Sequence, residues 1–220
     1  MSTGIDTTVL GELLSRPRLR SYLEAAHGDL SSAVRLYEWN TVVSGAALAT
    51  VAMVEVITRN ALDAQLTAWA QRRGEESWFE TIPLEARGLG DLDRAQRAVE
   101  SRGISAGQHG KVVAELTFGF WRYIVAQRYL TSLWVPALNK AFPYGYRDIR
   151  ERRRAVERHL VALTVLRNRV AHHEPIHRRD LGADLRAAVE LTTWVHPDAG
   201  AWVGARSPLQ TVLEHRPRLC

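Results

Sequence analysis

The chain has 220 residues, 46% of them hydrophobic and 24% charged, which excludes a disordered or fibrous protein and is enough for one substantial core. Its formal charge of +5 comes from 29 cationic against 24 acidic residues, only Lys111 and Lys140 being lysine, and this arginine-rich balance suits a polyanionic partner. The single cysteine, Cys220, excludes an internal disulfide and a cysteine-ligated metal cluster, and the start MSTGIDTTVLGELL lacks the basic region of a secretory signal; a single cytoplasmic domain over residues 1–220 is expected.

Apolar residues recur at steps of three and four, and no segment alternates long enough to predict a strand. A short helix is expected in SRPRLRSYLEAAHGD, with Pro17 in its first turn and Gly28 past its end. A long helix, or two joined near Gly45, should run from about Asp29 to about Arg73, because Ala33, Leu36, Val51, Val54, Ile57 and Leu62 keep helical spacing with no proline before Pro83. Its run GAALATVAMVEVI is interrupted by Glu55 and is too short to span a bilayer, so it suits a buried helix and no membrane span is expected. GEESWFETIPLEARGLG is loop-rich with a turn of helix near Trp78, and DLDRAQRAVESRG should form a helix begun by Asp91 and stopped by Gly103, followed by a connection to Gly110.

KVVAELTFGFWRYIVAQRYL is expected as one helix with Phe120 and Trp121 in the core, and TSLWVPALNKAF as a shorter one broken or started at Pro136. FPYGY is a turn. A second long helix should run from about residue 148 to 172 or 173, where Pro175 forces its end, and two more, roughly Asp180 to Val195 and Ser207 to His215, close the chain. The expected fold is an all-α bundle.

The second long helix carries the chemistry. Residues 147–179 hold ten arginines against four acids, an excess larger than the charge of the whole molecule. Arg150, Arg153, Arg154, Arg158, Arg169 and His173 are the expected contacts to an RNA backbone, although a run such as RDIRERRRAVERH is also what a solvated helix face with i, i+4 pairs looks like. At its end stands LRNRVAHHEP, where Asn168 and His172 are one turn apart on one face and Arg167 is close enough to reach the same space. A histidine there can take a proton from a ribose 2′-hydroxyl or give one to the leaving 5′-oxygen, and a guanidinium can stabilise the extra phosphate charge of the transition state. Such chemistry needs no metal, leaves a 2′,3′-cyclic phosphate and spares DNA. One histidine is thin provision for acid and base together, so a two-fold dimer bringing two motifs face to face is expected.

Arg167-Asn168-x-x-x-His172 resembles the R-x4-6-H motif of the HEPN superfamily, and LRNRVAHHEPI resembles its Abi-like, abortive-infection branch (Abi_2 or AbiD/AbiF type). RLYEWN, VEVITRNALD and ELTFGFWRYI resemble the same branch and occur in the same order, so the likeness covers most of the chain. The resemblance implies a HEPN-type helical bundle with additional N- and C-terminal helices and a homodimer around the motif helix, residues 148–173. It also implies a metal-independent endoribonuclease of phage defence or toxin type, with Arg167 and His172 as the motif pair and Asn168 as the polar residue beside them. A cognate antitoxin or noncoding RNA partner fits the toxin variant. Where related toxins resemble R-x4-6-H-x-Y, this chain has Glu174, so control by modification of that tyrosine does not transfer.

Other readings stand beside these. Arg167 and His172 could be a surface arginine and a helix-end histidine satisfied by the dipole. HHEPIH gathers His172, His173, Glu174 and His177, but Pro175 interrupts the helix and the spacing is not H-E-x-x-H, so neither metal nor cofactor is expected. Glu55 and Arg59, one turn apart, form an intrahelical pair or hold Arg167 or His172 in position from a neighbouring helix. The competing function is a non-catalytic RNA-binding or scaffold module of a defence system.

Overall fold

The computed structural model of the chain describes residues 6–103 and 109–219; Cys220 and part of the Gly103–Gly110 connection lie outside them. Every regular element among the described residues is helical, as the apolar spacing requires. The helices are α1 (Thr7–Leu14), α2 (Arg16–Ala25), α3 (Leu30–Gln71), α4 (Trp78–Thr81), α5 (Ala86–Glu100), α6 (His109–Glu115), α7 (Phe118–Ile124), α8 (Ile149–Ala171), α9 (Leu181–Val195), α10 (Pro197–Arg206) and α11 (Leu209–Glu214).

The spine is α3, a single helix through Gly45, about 63 Å long at 1.5 Å per residue. Asp29 starts it by accepting the Ser32 N–H at 2.7 Å. Its inward stripe, including Leu36, Val43, Ala47, Val51, Val54, Leu62 and Leu66, is fully enclosed by α2, α8, α9 and a 3₁₀ turn at Leu138–Ala141. By length and composition α3 could cross a membrane; here core packing accounts for the apolar character of that stripe.

The expected continuous helix from Lys111 to Leu130 is broken. Thr117 ends the first part and caps α7, its hydroxyl accepting the Phe120 N–H at 3.3 Å. The break lets α7 sit between α3, α5 and α8 and bury Phe118, Phe120, Trp121, Tyr123 and Ile124 together, which one face of a continuous helix would not do. A π turn at Leu130–Trp134 and the 3₁₀ turn follow in place of the expected short helix. α5 starts at Ala86, ahead of Asp91, and α1 and α10 add helices that spacing did not reveal. Close packing folds α10 back on α9: a Cβ at Gly200 would sit 1.8 Å from Thr193 Oγ1.

The motif helix α8 keeps its expected limits. Asp148 caps it by accepting the N–H groups of Arg150 at 2.7 Å and Glu151 at 2.9 Å. Val156, Leu160, Leu163, Leu166 and Val170 form the inward stripe against α3 and α9.

Candidate functional site

The end of α8 is built as a Schellman stop. His173 takes the left-handed conformation at φ 55°, the His173 N–H donates to the Val170 carbonyl at 3.0 Å, and the Glu174 N–H donates to the Arg169 carbonyl at 2.8 Å. Glycine usually fills that position, and histidine is one of the residues that tolerates it. Pro175 then carries the chain off the helix axis, and the Ile176 N–H donates to Asn40 Oδ1 of α3 at 2.9 Å. Asn40, 3% exposed, therefore anchors the segment that follows the motif.

His172 caps α8 and lies exposed, as do Asn168 and His173. Asn168 and His172 continue an outward stripe through Arg154, Arg158, Val161 and Val165, with steps of four and three residues. Arg167 sits one step round and is half-buried toward α3, where Glu55 feels its charge. Burial pushes the Glu55 carboxyl above the usual carboxylate range, against the opposing pull of Arg167, Arg59 and the Phe118 backbone N–H. Glu55 thus lies within the electrostatic reach of Arg167 across the α3–α8 contact, and among the described residues it closes an ion pair with neither Arg167 nor Arg59. Arg59 keeps a buried Nε with no hydrogen-bond partner there.

The basic approach divides into two sets. Arg150, Arg154 and Arg158 are exposed and make no ion pair among the described residues, and Arg154 and Arg158 border a shallow niche with Tyr146. Arg169 is exposed but paired with Glu174 at 3.1 Å. Arg153 has to be removed from the RNA-facing group: it is 3% exposed, donates to the Val125 carbonyl at 3.1 Å and pairs with Glu157 at 2.6 Å, so it ties α8 to the end of α7. Arg152 and Arg179 are likewise structural, bonded to the Tyr146 and Asn139 carbonyls and to Asp184 respectively.

His177 is also separated from the motif. It is 1% exposed, stacks on Tyr22 with ring centroids 4.7 Å apart and touches Ser21 Oγ at 3.3 Å. Desolvation pushes its pKa down to about 4. HHEPIH is thus divided between solvent and core, and among the described residues no three His, Cys, Asp or Glu side chains are grouped to hold a metal.

Two features escaped the sequence reading. Asp63 Oδ1 accepts from Trp78 Nε1 at 2.8 Å and meets His109 Nε2 at 2.7 Å, near a cavity of about 610 Å³ lined by Glu76, Glu80 and Glu100. That cavity lies beside Thr67, about 18 Å along α3 from Glu55 at 1.5 Å per residue, and its acids oppose a polyanion. The second feature is a groove of about 450 Å³ between α3 and the end of α8, bordered by Asn40, Ser44 and His173. Its sequence signal is a polar stripe, Tyr37, Asn40, Thr41 and Ser44, on an otherwise apolar helix. No protein-family model, characterised protein or solved structure matches the chain.

Proposed function

We propose that the chain is a metal-independent endoribonuclease of the HEPN type, acting in phage defence or as a toxin in the cytoplasm. Arg167 and His172 are its cleaving pair. In this reaction an imidazole takes the 2′-hydroxyl proton, the 2′-oxygen attacks phosphorus, the bond from phosphorus to the 5′-oxygen breaks, and a protonated imidazole supplies the leaving oxygen with its proton. Arg167 stabilises the charge on the phosphate oxygens and Asn168 orients the phosphate or the ring. Glu55 is assigned to positioning Arg167 through its charge.

One observation carries this reading: an exposed histidine and asparagine one turn apart, beside a half-buried arginine whose charge reaches the Glu55 carboxyl, at the end of an exposed arginine stripe. A symmetric dimer would supply the second histidine. It is supported by Val161 and Val165, 38% and 43% exposed on the outward stripe of α8, and by Leu48 and Val56, each 44% exposed on α3. The defence role rests on the family resemblance alone.

The test is incubation of mixed RNA in EDTA with wild-type protein and with His172→Ala, followed by mapping of fragment ends. Cyclic-phosphate ends from the wild type alone support the nuclease. Intact RNA in both, with binding retained, favours the second reading, an RNA-binding or scaffold module, for which the exposed Arg150, Arg154 and Arg158 suffice.

A further inference from the structure

The groove beside the motif contains a polar group that the fold leaves unfinished. Asn40 is 3% exposed and its Oδ1 is taken by the Ile176 N–H, which fixes the amide orientation. Its Nδ2 then has no acceptor among the described residues, yet Asn40 lines the groove. The nitrogen is not sealed in the core like the Arg59 Nε; it is reached from the groove and can donate to whatever enters it. Around it stand Arg18, held over the Tyr37 ring with its guanidinium carbon 5.7 Å from the centroid, and Ser44. Thr41 is already committed, since its hydroxyl donates to the Tyr37 carbonyl at 3.1 Å.

Three properties converge. The volume of about 450 Å³ falls in the range of about 300–1,000 Å³ typical of small-ligand sites. The available groups are chiefly donors: the Asn40 amide, the Arg18 guanidinium and the Ser44 hydroxyl. His173 and Ala171 form the rim on the α8 side, so the groove opens one residue from His172.

We propose that this groove holds an unpaired nucleobase of the RNA next to the cleaved phosphate. The base enters by the edge it would turn to a major groove, where uracil offers only O4 and guanine only O6 and N7, so the donors favour these over cytosine and adenine, which place an amino donor on that edge. Arg18 offers a flat cation on which a base can stack. The inference rests on RNA being the ligand of the motif.

Gly45 supplies the test. A Cβ at this position meets no heavy atom within 4 Å, so Gly45→Leu fills the groove without disturbing the helix, which gains from losing a glycine. Fluorescein-labelled 2′-fluoro hexamers of uridine and of cytidine, which cannot be cleaved, are titrated in EDTA against the wild type, Gly45→Leu and Asn40→Asp. The wild type is expected to bind the uridine hexamer about tenfold more tightly than the cytidine hexamer. Gly45→Leu should bind both alike. Asn40→Asp keeps an acceptor for Ile176 but removes the donor, and should lose or reverse the preference even if Gly45→Leu also alters self-association. Equal affinities in the wild type, or a preference unchanged in both variants, would overturn the proposal. Because binding is read without cleavage, a base preference with no nuclease activity would remove only the nuclease reading. Cleavage without a preference would remove only this one.

Discussion

His172 and His177 are five residues apart and live in opposite surroundings. His172 caps α8 in solvent; His177 is enclosed between Tyr22 and Ser21. The Schellman stop at His173 and the bend at Pro175 produce the difference, turning the chain from the surface into the core within four residues. A cluster of histidines in sequence is therefore not a cluster in space: one histidine is open to solvent and the other is part of the packing.

The sharpest way to break that contrast is to exchange the effects of the two residues. His172→Ala should lower RNA cleavage by about 10²–10⁴-fold, the usual contribution of a general acid or base, with an unchanged melting temperature. His177→Ala should do the reverse, destabilising by about 2–4 kcal/mol through the cavity left beside Tyr22, with the remaining folded protein still cleaving. Parallel cleavage assays and urea melts check both. Retained cleavage in His172→Ala would remove it from the reaction.

A second consequence concerns pH. The folded pKa of His177 is depressed to about 4, below the ordinary value near 6.5, so the unfolded chain binds more protons between these limits. Its neutral burial contributes stability fully above pH 6.5, and this is lost as pH falls toward 4. The loss is on the order of 3 kcal/mol. Urea titrations across this window should show the slope in the wild type and a flatter curve in His177→Phe; equal slopes would show that other groups dominate.

How much was visible beforehand differs in the same way. The limits of α8 were legible because Asp148 and Pro175 act locally, and those of α3 because its 42 residues keep one spacing, although that spacing alone leaves open one helix or two joined near Gly45. The break at Thr117 was not, because it depends on space between α3, α5 and α8 for five large side chains. Arg153 was assigned to the surface on its charge alone, although its spacing, four residues after Ile149 and three before Val156, continues the inward stripe that turns it toward Val125 while Arg154 faces solvent. The shared exposed face of Asn168 and His172 was legible from their spacing, whereas the groove was not, since it needs Asn40 and His173 brought together from distant parts of the chain.

The adjacent arginines sharpen that point at smaller amplitude. Arg153→Ala should destabilise by about 2–3 kcal/mol by removing a buried bonded charge and exposing the Val125 carbonyl to no partner. Arg154→Ala should leave stability within about 0.5 kcal/mol of wild type. It should instead weaken RNA binding and reduce the slope of log affinity against log salt by about 0.7, the share of one single-strand phosphate contact. Equal salt slopes in Arg154→Ala and wild type would take this arginine off the RNA path.

The smallest effect belongs to Glu55, and its sign is what makes it informative. Burial raises the pKa of this carboxyl despite Arg167 and Arg59 nearby, so the folded chain holds the proton more tightly than the unfolded chain does. Stability from this group is therefore complete below the ordinary carboxylate pKa and is lost as pH rises from there through the raised folded value, so the ionised form costs the fold something above it. Glu55→Gln removes that cost and should raise the melting temperature slightly. If the carboxylate orients Arg167, the same substitution should lower cleavage by about tenfold or less, with Glu55→Asp recovering part of it. A purely structural carboxylate would give a more stable protein with unchanged cleavage, and a helix-bracing pair with Arg59 would give a less stable one. Only a gain in stability joined to a loss of rate fits a carboxylate kept in an unfavourable place to hold Arg167 for the reaction.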